Sequence, residues 1–454
     1  MESSHIREPK GQASDRDMNS NKTSQASEEL QSNFKPELNE QLESHNQVVN
    51  ALQSPEHEEE DVNETYYNFQ LFLDQIQDAR CAPLIKYTRS FLRNFVTQRA
   101  IWSATEQDKL IKDFKTFIYS KYKDFKPFSD LNKTELRNAE EGMEKLLTGK
   151  LYHHLFSPLL AERAKAAGIE ADKEHLDDIE KDKMFIKKVA EFKFIEPTNL
   201  DISFQNVKRV KKFTSFASIE LNKMNNFKAP RDKMVCILNA SKILFGLMKH
   251  SEETGADCFV PLLIYTLLSG KIENLVSNIN FIERFRYSSL FRGEEAYYLS
   301  SLQAASNFIL KLDKKSLTIE NEKDFDTKYE QNIENVKQDQ LQKEKLLKET
   351  KQEESSNMLD DVSNMVMNKL NEFFIQDEPQ KEKKKEVHHK ANSKNEDGEV
   401  ASMIKQLEAK EHQETVETLT SMFPDLDVEI IEDVCIAKKH RIGPCVDVLL
   451  TLSN

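Results

Sequence analysis

Two long apolar runs in this chain open on polar residues. In GADCFVPLLIYTLLSG, Asp257 stands just before the run that carries Leu262, Leu263, Ile264, Leu267 and Leu268. In FRGEEAYYLSSLQAASNFI, Glu294, Glu295, Tyr297 and Tyr298 stand at the head of the next. Each has a plain structural reading. An acid before a helix caps it or complements its first turn. A tyrosine at a helix start packs in the core with its hydroxyl satisfied. Each also has a chemical reading, because polar groups at the mouths of buried segments can form a surface site on a rigid frame. The Glu294–Glu295 pair could serve acid–base hydrolysis if its separation and pKa allowed. A metal centre has little support: His153 and His154 are adjacent, and no histidine lies between His175 and His250. No Walker motif and no nucleophile elbow is present.

The elements that would hold these residues are helical. Phenylalanine is abundant, at 27 residues, and strand-like alternation is scarce. An all-α fold is expected: a helical bundle, a layered-helix domain and a separate small three-helix bundle at the C-terminus. Residues 1–64 are rich in Ser, Asn, Gln and Glu and read as a disordered arm. Apolar groups at helical spacing, Phe69, Phe72, Ile76, Leu84, Ile85, Phe91 and Phe95, then Leu110, Ile111, Phe114 and Phe117, predict a bundle over 65–144. The stretch from Glu141 reads as a helix ending at Pro158.

Further helices are expected over 183–192, 207–225 and 228–250, the last opened by Pro230. They belong to a domain over 145–311. Residues 312–408 read as a charged linker, with a solvated helix or spacer around 333–354 and an amphipathic docking helix at 355–374. Residues 409–454 form a separate compact unit.

Composition narrows the function classes. The formal charge of −14 argues against nonspecific nucleic-acid binding. Five scattered cysteines without a CxxC pair suit a reducing compartment. The start, MESSHIREPKGQ, has no apolar core of a secretory signal. No apolar run approaches the roughly 20 residues that a membrane span needs, so a soluble chain without a transmembrane segment is expected.

Four ordered stretches carry a resemblance: KAPRDKMVCILNASKILFGL (228–247), GADCFVPLLIYTLL (255–268), SNINFIERF (277–285) and GEEAYYLSSLQAASNFI (293–309). Together they resemble the vacuolar-protein-sorting-nine exchange domain, which acts on Rab-family GTPases of the early endosome. The resemblance covers about 145–311, and the chain as a whole is similar to fungal members of that family. It implies guanine nucleotide exchange on an endosomal Rab-family GTPase, in vacuolar and endosomal transport. No cofactor of the chain's own is implied; the partner carries GDP or GTP and Mg2+. The family's acidic finger falls on Asp257, its proline on Pro261 and its tyrosine on Tyr297. Its neighbouring hydroxyl residue, often threonine, is Ser300 here, which keeps the hydroxyl but loses the methyl contact. Glu294 matches an acid of the family's G-E motif, and Leu262 beside Pro261 would bury switch residues. Asp257 would stand in for lost phosphate charge opposite the P-loop lysine and disfavour Mg2+. Tyr297 would hydrogen-bond a switch backbone. The implied location is the cytoplasm, with peripheral recruitment to endosomal or Golgi-derived membranes.

The final segment shows three short apolar clusters: Val416 and Leu419; Val428, Ile430, Ile431, Val434 and Ile436; and Val446, Val448, Leu449 and Leu450. Pro424 is expected to end the first helix, and Arg441 to Pro444 to make the second turn. Met422 and Phe423 serve either the unit's own core or a binding tip, since a short proline-ended tip buries two large groups poorly. The segment resembles a CUE domain, a small ubiquitin-binding module whose Met-Phe-Pro motif is Met422-Phe423-Pro424 and whose dileucine is Leu449-Leu450. Ubiquitin or ubiquitinated cargo is the implied partner, and sharing of small cores between two copies could create dimers. The competing reading is a non-catalytic ubiquitin-binding scaffold of the endosome, which differs at Asp257 and Tyr297.

Overall fold

The computed structural model describes residues 67–204, 206–249, 258–291, 293–349, 409–410 and 412–452. Asp257, the arm at 1–64 and the amphipathic stretch at 355–374 lie outside the described residues. Among the described residues every regular element is a helix, as the all-α reading expects.

Four helices open the fold: α1 (Phe69–Ile76), α2 (Ala82–Thr97), α3 (Ala104–Tyr122) and α4 (Lys133–Leu155). Capping boxes start two of them, Ser103 with Glu106 and Asn132 with Glu135, which satisfy backbone donors that no helical turn can reach. Phe72, Ile76, Leu84, Ile118, Met143 and Leu146 form the shared core. Gly142 permits its closest approach: a Cβ there would fall 2.2 Å from Phe72 Cγ.

Two expectations need correction here. α4 runs unbroken through 144/145, so the bundle and the next domain share a helix. Pro158 does not end a helix. The break is at Phe156, in extended backbone, and Pro158 lies in the first turn of α5 (Ser157–Ala166). First-turn amides have no intrahelical acceptor, so proline forfeits no bond there.

The layered domain follows: α6 (Lys173–Phe192), α7 (Val207–Asn222), α8 (Pro230–Lys249), α9 (Phe259–Ser269), α10 (Leu275–Phe285) and α11 (Gly293–Lys311). α9 buries Phe259 and every residue from Leu262 to Leu268. A helix apolar all round has no solvent face to offer, so it takes the centre. The domain also extends past 311, against the linker expected from 312. Leu312, Leu317 and Phe325 join the same core. Phe325 is in α12 (Glu322–Glu349), whose Tyr329 hydroxyl donates to Glu191 and whose Asn332 amide donates to two α6 carbonyls. Only the charged remainder of α12 matches the solvated-helix reading.

A buried histidine makes this core sensitive to acid. Ser157 Oγ donates to Asp178 at 2.6 Å and lies 2.8 Å from His175 Nδ1. The serine's one proton goes to the carboxylate, so Nδ1 carries the imidazole hydrogen. Nε2 is buried without a hydrogen-bond partner. Burial, then the charge of Arg284, pulls this histidine down to about 4. The unfolded chain therefore takes up a proton that the folded chain refuses. Stability is full above the ordinary histidine value of about 6.5 and is lost as pH falls towards about 4. Acidification from neutral pH to pH 5 should remove about 2 kcal/mol through this residue. In His175→Gln, denaturation midpoints should fall less steeply over that interval.

The C-terminal unit contains α13 (residues 412–422), α14 (Val428–Ala437) and α15 (Ile442–Leu452). The expected turn at 441–444 shifts. Lys439 and His440 make it, with φ of 53° and 52°, while Ile442, Gly443 and Pro444 already belong to α15. Proline again occupies a first turn. Four of the five cysteines, Cys81, Cys236, Cys435 and Cys445, are buried; Cys258 is half-buried.

Candidate functional site

The two polar-headed runs meet in space. Phe259, at the start of α9, stacks on Tyr297 of α11 with centroids 6.0 Å apart and planes 27° apart. Phe245 of α8 stacks on the other neighbour, Phe259, at 4.6 Å. Tyr298 completes the cluster, 5.8 Å from both Phe245 and Phe259. Tyr297 and Tyr298 are half-buried, so each ring is anchored while part of it remains at the surface. Burial, then Glu294, Tyr297 and Asp447, pushes the Tyr298 hydroxyl up to about 12. It stays protonated and able to donate.

A buried charge network holds the head of α11 in place. Arg286, just after α10, reaches Glu141 and Glu144 of α4 and Glu295 of α11. Lys115 of α3 bonds Glu144 at 2.8 Å and the Phe285 carbonyl. The Tyr287 amide donates to Glu144 as well, at 2.8 Å. Three carboxylates and two cations thus clamp the first bundle to the α10–α11 junction. Glu295 is part of this clamp, whereas Glu294 is exposed. The pair is therefore not a hydrolytic couple, since one member is neutralised by Arg286. Among the described residues no group of three or more His, Cys, Asp and Glu is placed to hold a metal.

Two more polar ties position α10. Asp182 of α6 accepts from the Val276 and Ser277 amides and from Ser277 Oγ, capping α10 from another helix. Lys233 of α8 donates to Asn278 Oδ1, the Met224 carbonyl and the Tyr152 hydroxyl at 2.6, 2.7 and 3.1 Å. Its Nζ also lies over the rings of Tyr152, Phe156 and Phe281. Burial pulls this lysine down to about 7. Sequence reading named none of Asp182, Lys233 or Arg286. Lys233 and Asn278 do lie within the quoted stretches, but a helical lysine reads as solvated until its neighbours are known.

The expected site residues divide as follows. Tyr297 stands on the α9–α11 face, with Pro261 half-buried in the first turn of α9. Glu294 and Ser300 are exposed on α11, and Ser300 Oγ donates to the Tyr297 carbonyl. Leu262 is a correction: it is 0 % exposed and belongs to the core rather than to a partner surface. From Leu262 to Leu268, α9 turns no side chain to solvent.

Family models match three parts of the chain. A vacuolar sorting protein 9 (VPS9) domain matches residues 215–314, and a CUE domain matches 412–453. The chain is a VPS9-domain protein with a C-terminal CUE domain. A third model, a domain of unknown function (DUF5601), matches 86–152, within α2 to α4. Relatives agree. Vacuolar protein sorting-associated protein vps901 of Schizosaccharomyces pombe is 40% identical over 284 residues, covering 62% of this chain and 48% of the relative. Vacuolar protein sorting-associated protein 9A of Arabidopsis thaliana is 29% identical over 277 residues, 59% of this chain and 48% of its own. The Rab5 GDP/GTP exchange factor of Homo sapiens is 30% identical over 247 residues, 54% of this chain and 46% of its own. The chain spans about half the length of the curated relatives it matches.

Within the CUE domain, the Met-Phe-Pro tip is better buried than its sequence suggests. Met422 and Phe423 are each 4 % exposed, and Leu449 and Leu450 are buried too. Pro424 alone of the five stays exposed. These side chains share one apolar cluster with the VPS9 domain, where Phe423 stands against Phe213 and Leu450 over Gly246.

Proposed function

We propose that this protein is a guanine nucleotide exchange factor for an endosomal Rab-family GTPase of the Rab5 type, and that its CUE domain binds ubiquitin. The observation that carries the reading is the Phe259–Tyr297 stack, which joins the start of α9 to the start of α11 in one face of a VPS9 domain. Asp257 is two residues before Phe259 in the chain. Exchange needs no covalent step. A GTPase holds its nucleotide through a P-loop lysine, backbone donors and Mg2+. A carboxylate brought to that lysine replaces the phosphate charge and makes the emptied pocket less costly. Asp257 takes this role, and Tyr297 holds a switch segment away from the closed form. Binding the empty form weakens nucleotide affinity by the same factor, and the nucleotide pool sets the direction. Ubiquitin on cargo would recruit the protein peripherally from the cytoplasm to endosomal or Golgi-derived membranes.

The test is release of a fluorescent GDP analogue from Rab5-type GTPases with catalytic amounts of the full chain. Release should accelerate in proportion to added protein. A folded chain that leaves release from every such GTPase unchanged would overturn the reading and leave the ubiquitin-binding scaffold.

A further inference from the structure

Two of the CUE residues expected to meet ubiquitin, Phe423 and Leu450, meet the VPS9 domain instead. Phe423, from the Met-Phe-Pro motif, stands edge-on to Phe213 of α7 at 6.4 Å. Leu450, from the dileucine, lies over Gly246 of α8. A Cβ there would fall 2.7 Å from Leu450 Cδ1 and 3.3 Å from Val446 Cγ1. The complementary fit occurs at Gly443 of α15, where a Cβ would fall 2.8 Å from Asn239 Oδ1 and 2.9 Å from Lys242 Cδ. Lys242 Nζ lies 3.8 Å from Asp447. On α8 these positions are 239, 242 and 246; on α15 they are 443, 446, 447 and 450. Both sets recur at three or four residues, so each is one helix face. Two helices therefore meet along matched faces, with a glycine on each side where the backbones come closest.

We infer that the α7–α8 face of the VPS9 domain and ubiquitin are alternative partners of a single CUE surface, so that ubiquitin binds only the undocked form. This rests on the ubiquitin-binding reading of the CUE domain. Phe423 and Leu450 cannot be covered by two partners at once. Apparent ubiquitin affinity is then the intrinsic affinity scaled by the undocked fraction. By reciprocity, ubiquitin weakens the docking by the same factor. Docking also lies beside the candidate exchange face, since Phe245, one residue from Gly246, packs 5.8 Å from Tyr298.

The full chain carries the test. Gly246→Glu puts a helix-favouring residue into α8 while forcing a charged side chain into the seam. Titrated with monoubiquitin by calorimetry, this variant should bind about tenfold tighter than the parent chain, the factor for a docked form holding about nine-tenths of the molecules. In the parent chain, saturating ubiquitin should also speed amide exchange along α8. Lys242→Glu is a gentler opening. It should tighten binding a few-fold, and adding Asp447→Lys should reverse that gain; this pair decides the matter if Gly246→Glu does not fold. Equal affinity in the parent, Gly246→Glu and Lys242→Glu chains would overturn the inference and leave ubiquitin binding standing. No binding by any of them would overturn the ubiquitin reading, and the inference with it.

Discussion

Arg286→Met should cost about 3–5 kcal/mol of folding stability, the range for removing one partner from a buried charge network. The Arg286 and Glu144 side chains are each 1% exposed and Glu141 is 7% exposed. Without the guanidinium, Glu144 would keep Lys115, while Glu141 would keep only the more distant Arg231, 3.9 Å away. The loss has a pH signature. Burial already pushes the Glu141 carboxyl up, with Arg286 opposing it. Removing Arg286 raises it further, and an acid with a raised folded pKa costs stability only above its unfolded value. The deficit should therefore be largest near neutrality and shrink as pH falls towards 5. Chemical denaturation of both chains at several pH values reads this directly. A deficit under about 1 kcal/mol would mean that the network is solvated and worth no more than a surface pair.

Asp257→Ala should lower the exchange rate by roughly 100-fold or more, the scale of losing one preorganised electrostatic group. The thermal midpoint should hold, because the substitution leaves the Phe259–Tyr297 stack and the buried clamp intact. Fluorescent GDP release and a melting curve on the same preparation separate the two effects. A folded variant with undiminished rates would remove Asp257 from the exchange role.

Much of the fold could be read locally. The apolar run from Leu262 to Leu268 announces a central helix, and Pro230 announces the start of α8. Both signals lie within the element they describe. The meeting of α9 with α11 was legible only through motif order, since Phe259 and Tyr297 are 38 residues apart in the chain. What escaped depends on distant partners. Asp182 caps a helix that begins 93 residues later, and Lys233 is buried only because Tyr152 and Asn278 converge on it. Leu262 was misplaced for the same reason: its type fits an interface or a core equally well, and only packing decides. The burial of Phe423 draws on Phe213 of another domain, which no reading of residues 409–454 alone could supply.

The uneven burial of the cysteines has a practical consequence. Cys258 follows Asp257 directly and precedes the ring that stacks on Tyr297. The other four thiols are buried, and burial pushes Cys81 up to about 11 and Cys445 up to about 12. The thiolate is the reactive form, so an alkylating dye should choose position 258 first. The native chain thus brings its own attachment point for a fluorophore that would sense a GTPase arriving at this face.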